Sequence, residues 1–232
     1  MCFLLREKMK LFKRHIFVSL FVCCLVTACS STQRAYQQNF RMYLESDIDI
    51  KLTSEEVVQS PMDLIYVKNG ERPIATMALG FIENGKYKWL SKDDVMIVTD
   101  NGRVIKTLGL DKNVTFVDHL KNDPISKGQS LNIKNWITSI DTDYGDSGAK
   151  IESTFDTIKN VTIVIQGAEF NTTKVEEKIK YNSSLNGEKS WVNTYWYHID
   201  TGYLIQSHQT PSAYSDRLEI TYISRVMRLL EE

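Results

Sequence analysis

Beyond residue 29 this sequence has no cysteine. The four it contains, Cys2, Cys23, Cys24 and Cys29, fall in the first 29 of 232 residues. The rest of the chain therefore forms no disulfide, exposes no thiol and builds no cysteine metal site. Proline is almost as scarce, with only Pro61, Pro73, Pro124 and Pro211, and no proline-rich linker divides the chain. After residue 30 the histidines are His119, His198 and His208, too few and too scattered for the short ligand spacings of a zinc site. Long apolar runs are missing too. The best, residues 16–28, has 13 residues, short of the roughly 20 that a spanning helix needs.

What that short run does have is context. Arg6, Lys8, Lys10, Lys13 and Arg14 precede it, and Leu25-Val26-Thr27-Ala28-Cys29 closes it. A basic cluster, an apolar core and small residues before a cysteine are the arrangement of a cleaved bacterial lipoprotein signal. Met9 is an alternative start, since the segment from Lys10 onward is already a complete signal. Cleavage makes Cys29 the new N-terminus and the acceptor of the lipid, and several acyl chains hold a protein to a membrane where one holds it only marginally. Ser30 follows the cysteine, where lipoproteins kept at the inner membrane often carry Asp, so the expected location is the outer membrane, facing the periplasm.

The organisation expected is a signal over residues 1–28, a lipid anchor, tether and short helix over 29–52, and one β-rich domain over 53–232. The first 28 residues hold five of the 28 Lys and Arg and one of the 29 Asp and Glu, leaving the mature chain a formal charge of −5. That balance argues against a nucleic-acid or anionic-lipid surface. Tyr36, Phe40, Tyr43 and Leu44 have helical spacing, and Thr53-Ser54-Glu55-Glu56 reads as a capping box opening a helical turn that Pro61 ends.

Beyond Pro61 the pattern becomes short alternating or β-branched runs between the pairs Asn69-Gly70, Asn84-Gly85, Asn101-Gly102, Asn186-Gly187 and Thr201-Gly202. Asn and Gly tolerate the positive φ that two-residue hairpin turns require. Strands are expected over 74–82, 86–90, 95–99, 103–108, 114–117, 133–140, 150–157, 161–166, 173–181, 191–199, 203–209 and 218–224. Residues 226–232 read as a charged tail that extends the last strand or frays. The fold class expected is mainly β, an antiparallel meander curling into a barrel-like or two-layer domain with a short N-terminal helix.

Candidate chemistry is sparse. Gly145-Asp146-Ser147-Gly148 copies the surroundings of a chymotrypsin-like nucleophile, but the one upstream histidine of the mature chain, His119, lacks that family's motif, and these residues are first of all turn formers. Asp141, Asp143 and Glu152 echo a calcium loop, yet its sixth position is Asp146 instead of glycine and no helices flank it. The Asn-x-Ser/Thr matches at Asn113, Asn160, Asn171 and Asn182 carry no meaning behind a bacterial signal. No catalytic residue, metal site or cofactor is expected, although two glycosidase acids leave no sequence signature.

The aromatic segment 191–198 carries more weight. On a strand, Trp191, Asn193, Tyr195 and Tyr197 point one way and Val192, Thr194, Trp196 and His198 the other. Both faces hold aromatics. One face must be core. The other offers flat rings beside amides and hydroxyls, the combination that stacks on sugars, unless both faces are packed. Trp191, Tyr195 and Trp196, with Trp89 and Trp136, are thus the candidates for glycan or partner contact.

The block 61–110, with Gly85-Lys86-Tyr87-Lys88-Trp89, Asp94-Val95-Met96-Ile97-Val98-Thr99 and Gly102-Arg103-Val104-Ile105-Lys106-Thr107-Leu108-Gly109, resembles the YjbF/GfcB family of lipoproteins from capsule and exopolysaccharide operons. Trp191-x-Asn193-x-Tyr195-Trp196, then Gly202 and Gln206-Ser207, form a second anchor, and Trp136 begins a matching Trp-x-Thr strand between them. The likeness departs in the longer segment 30–52. It implies a non-catalytic role in secreting or assembling an extracellular polysaccharide beside outer-membrane export proteins, and supplies no catalytic residues. The alternatives are a structural lipoprotein scaffolding an outer-membrane complex without touching glycan and, more weakly, a polysaccharide-modifying hydrolase.

Overall fold

The computed structural model describes residues 52–131 and 134–231. Cys29, the signal, the tether and the helix expected at 35–44 lie outside them. The described chain opens with α1 (Ser54–Val58), held by the expected capping box: Glu56 N donates to Thr53 Oγ1 at 3.3 Å, and Thr53 N donates to Glu56 Oε2 at 2.8 Å. Such a reciprocal pair satisfies two N–H groups that a helix start leaves open.

Twelve strands follow: β1 (Leu64–Asn69), β2 (Ala75–Glu83), β3 (Lys86–Leu90), β4 (Met96–Asp100), β5 (Arg103–Leu108), β6 (Val114–Val117), β7 (Asn135–Thr142), β8 (Ala149–Ile165), β9 (Ala168–Ser183), β10 (Gly187–His198), β11 (Leu204–Gln209) and β12 (Leu218–Thr221). The chain ends in α2 (Ile223–Glu231). All ladders are antiparallel and the sheet order is β5-β4-β3-β2-β1-β12-β11-β10-β9-β8-β7-β6. The meander curls into a nearly closed barrel. At its seam β5 and β6 share no ladder, and Val114 N donates to Thr107 Oγ1 at 3.2 Å instead.

Alternation decides which side chains fill the barrel. On β8, Ala149, Ile151, Ser153 and Phe155 are buried while Lys150, Glu152, Thr154 and Asp156 are exposed. On β9, Val175, Ile179 and Tyr181 join the interior cluster, which also takes in Ile65, Met77, Trp89, Ile97 and Ile220. A one-residue slip would turn every one of these outward, so the apolar pattern fixes the register. The Asn-Gly turns behave as the sequence indicates: φ is 51° and 77° at Asn84-Gly85 and 48° and 94° at Asn101-Gly102.

Three expectations need correction. The runs 150–157 and 161–166 are one strand, β8, bent by a bulge between Ile158 and Val161 where Asn160 takes φ 57°. β1 was not among the expected strands, because Leu64, Ile65, Tyr66 and Val67 are all buried and show no alternation. Helix α2 packs outside β1 and β11, and Leu64 N donates to Ser224 Oγ at 2.8 Å. The tail is therefore neither strand nor frayed: the last strand stops at Thr221, and Ile223, Val226 and Met227 form the buried stripe of α2.

Candidate functional site

The interior of the barrel holds a charged cluster that no motif signals. Arg103 begins β5 just after the Asn101-Gly102 turn and points inward, 6% exposed. Its Nε donates to Asp123 Oδ2 at 2.6 Å and its Nη2 to Asp123 Oδ1 at 3.0 Å, a bidentate pair. Its Nη1 donates to Glu177 Oε2 at 3.0 Å. The guanidinium carbon lies 4.5 Å from the Trp136 ring centroid, close enough for a cation–π contact.

Asp123 belongs to the connection from β6 to β7, which folds into 3₁₀ turns over Leu120–Asn122 and Pro124–Ser130. Its carboxylate also accepts from Ile125 N at 3.0 Å. Farther along, Gln129 Nε2 donates to Ile199 O at 3.2 Å and Tyr197 OH to Ile125 O at 3.5 Å. The connection is thus tied across one end of the barrel.

Glu177 is fully buried on β9. Besides Arg103 it accepts from Ser153 Oγ at 2.7 Å, Asn193 Nδ2 at 3.2 Å and Tyr195 OH at 3.2 Å. Gln209 completes the network, donating to Gly102 O at 2.8 Å and accepting from Val104 N at 2.9 Å. Burial alone would pull the Arg103 pKa down, and the Asp123 and Glu177 carboxylates outweigh it and hold the group charged. Burial likewise pushes the Tyr195 phenol up, so it remains a donor at neutral pH.

This arrangement joins wall to cap. The cavity beside Arg103, lined by Val104, Val117, Trp136, Thr138 and Ile140 among others, measures about 20 Å³, space for about one water. That pocket admits nothing larger than a water, whereas at the far end of the barrel Asn69, Thr107, Leu110, Tyr214 and Leu218 line a cavity of about 170 Å³.

The structure separates the five aromatic candidates. Trp89 is 2% exposed and donates from Nε1 to Thr99 Oγ1 at 3.0 Å. Trp136 is buried under Arg103, and Tyr195 is fully buried in the network. These three present no ring to a ligand. Trp191 is half-buried on the inward face, 5.9 Å from the Tyr181 ring. Trp196 is half-buried on the outer wall, between Lys174 of β9 and Gln206 of β11 in register, with the His208 ring edge-on at 4.7 Å. Of the five candidates, Trp191 and Trp196 alone keep part of the side chain open to solvent.

The acidic loop between β7 and β8 is occupied by protein donors. Asp146 is buried and accepts from Tyr181 OH, Ser183 Oγ and Asn186 Nδ2. Asp143 accepts from Asn113, and Asp141 from Gly148 N. Among the described residues no group of His, Cys, Asp or Glu is placed to hold a metal ion. Gly145-Asp146-Ser147-Gly148 forms the turn that the loop reading expects.

Arg103, Asp123 and Glu177 were missed by sequence reasoning. One signal was present: Glu177 falls at an inward position between Val175 and Ile179, where a carboxylate demands a buried partner.

Fold and interior together define a nearly closed antiparallel β-barrel domain capped at one end by its own loop. Residues 37–223 match the family described as group 4 capsule polysaccharide lipoprotein GfcB, YjbF; the chain belongs to this family. It is 30% identical over 215 residues to the uncharacterized lipoprotein GfcB of Escherichia coli (strain K12), covering 90% of this chain and 98% of that one. To the uncharacterized lipoprotein YjbF of the same organism it is 27% identical over 192 residues, covering 81% and 87%. The crystal structure of the hypothetical lipoprotein YmcC from Escherichia coli (K12) superposes with a TM-score of 0.67 at 29% identity, covering 75% of this chain and 90% of that chain.

Proposed function

We propose that the chain is a non-catalytic envelope lipoprotein that assists secretion or assembly of a capsular or extracellular polysaccharide, held by lipidated Cys29 in the outer membrane and facing the periplasm. The family match over residues 37–223, whose description joins a capsule polysaccharide to a lipoprotein, carries this reading. The basic, apolar and small-residue segments before Cys29 support the anchor. The Arg103 cluster leaves no space for a sugar around it, and on the outer wall Trp196 sets a ring beside Lys174, Thr194 and Gln206. An aromatic ring flanked by amide and hydroxyl groups suits a sugar, which offers an apolar face edged with hydroxyls.

A second reading, a scaffold within an outer-membrane complex, is favoured by one observation. β7 pairs β8 only as far as Thr154, and among the described residues the edge of β8 from 156 to 165 has no ladder partner on that side. An open edge accepts an added strand.

Complementation of a deletion strain separates the readings. Cys29→Ser should lose palmitate labelling and polymer export together. Trp196→Ala should lower export while the melting temperature stays unchanged; full export with Trp196→Ala shifts the contact to the scaffold reading. Undiminished export by the deletion strain itself overturns the polysaccharide role.

A further inference from the structure

In an antiparallel meander, alternate turns lie at the same end. The β2–β3, β4–β5, β6–β7, β8–β9 and β10–β11 connections therefore share one rim with the start of β1 and the end of β12. The chain enters the barrel beside this rim, where Leu52 O accepts from Tyr66 OH at 3.3 Å. Whatever tethers the N-terminus pulls from here.

The same rim carries exposed apolar side chains at three separate tips. Phe81 and Ile82, 49% and 55% exposed, are consecutive and so point to opposite faces, which marks the β2–β3 hairpin as protruding. Val164 is 64% exposed near the β8–β9 turn, and Tyr203 is 56% exposed between β10 and β11. Among the described residues, the exposed large apolar side chains at the opposite rim are Leu108, Phe116 and Leu185, none of them at the rim where the chain enters. Single exposed apolar side chains are ordinary, but several on one rim mark a contact surface.

The tips set apolar side chains beside acidic ones, Glu83, Glu169 and Asp200, so what they offer a membrane is apolar contact and not attraction to anionic headgroups. Lys88 pairs with Glu83 and lies 4.7 Å from the Phe81 ring centroid, and the β8–β9 turn Gln166-Gly167 is uncharged. Apolar tips whose nearby lysine is already paired suit insertion at an acyl boundary better than attraction to charged headgroups.

We propose that this rim rests on the membrane surface, with Phe81, Ile82, Val164 and Tyr203 in the interfacial layer and the opposite rim directed away from it. The proposal rests on the Cys29 anchor and adds an orientation, which a lipid anchor alone does not impose. Trp196 would then stand on a wall that rises from the membrane.

The test uses the full lipidated chain in vesicles of phosphatidylethanolamine and phosphatidylglycerol. Cys29 is the only cysteine left after cleavage and its thiol is blocked by lipid, so Phe81→Cys, Val164→Cys, Tyr203→Cys and Leu185→Cys each accept one polarity-sensitive fluorophore. Labels at 81, 164 and 203 should shift to the blue and be quenched several-fold more by acyl-chain quenchers than the label at 185, with no loss at high salt. Equal, water-like signals from all four positions on vesicle-bound protein overturn the orientation and leave the anchor standing. Protein that does not stay with the vesicles overturns the anchor and the orientation with it.

Discussion

A carboxylate pointing into a barrel is tolerable only when something charged answers it. Glu177 has Arg103, and Arg103 has a second carboxylate in Asp123, so one cation serves two anions in a space closed to solvent. Removing one partner of a buried pair leaves the other charge stranded and typically costs about 3–5 kcal/mol. Arg103→Met strands two carboxylates and unties the β6–β7 connection from the wall, and should lower stability by about that amount. Glu177→Gln keeps the shape and leaves the bidentate Asp123 pair intact, so its cost should be smaller. Urea midpoints of the two variants check the order; a larger loss for Glu177→Gln would place the main ion pair at Glu177.

At the scale of elements, the β4–β5 hairpin shows how local chemistry and tertiary packing converge. Gly102 has φ 94°, and a Cβ there would press on the end of the Leu204 side chain, on a strand far away in sequence. Gly102→Val therefore meets backbone strain and a clash together, and should cost about 1–3 kcal/mol for the strained position alone; an unchanged denaturation midpoint would show that the turn yields. This hairpin was legible because an Asn-Gly pair sits between alternating strands. β1 was not legible, since helix α2 buries its outer face and erases the alternation. Nor was α2 itself, whose nine residues carry a buried stripe too short to distinguish from a strand continuing after Thr221. The break expected between 157 and 161 was a real irregularity, but a bulge bends a strand without ending it. The same ambiguity governed the candidate site: aromatics on both faces of 191–198 left their exposure open, and only the partner strands decide that Tyr195 is inside and Trp196 outside.

For the whole molecule, the titrating groups predict how stability depends on pH. Burial pulls the His208 pKa below its usual 6.5, with Glu219 opposing and Arg217 adding to the shift. Burial would raise the Asp146 carboxyl, but hydrogen bonds from Ser183, Tyr181 and Asn186 outweigh it and hold the pKa below the usual 3.8. Both groups bind protons more readily unfolded than folded, so their contributions are present at neutral pH. The His208 contribution is lost as pH falls from 6.5, and that of Asp146 as pH falls from 3.8. On the alkaline side, burial pushes the phenols of Tyr195, Tyr197 and Tyr222 above 10. Stability from these groups is complete below pH 10 and declines above it, where the unfolded chain releases protons that the folded one retains. The melting temperature should therefore form a plateau from about pH 7 to 10, with a shallow loss first on the acid side as His208 charges and a steeper one below pH 4. Replacing His208 by Gln should remove the shallow step and leave the steep one. Scanning calorimetry across this range measures both, and a His208→Gln profile identical to wild type between pH 5 and 7 would assign the first acid step to another group.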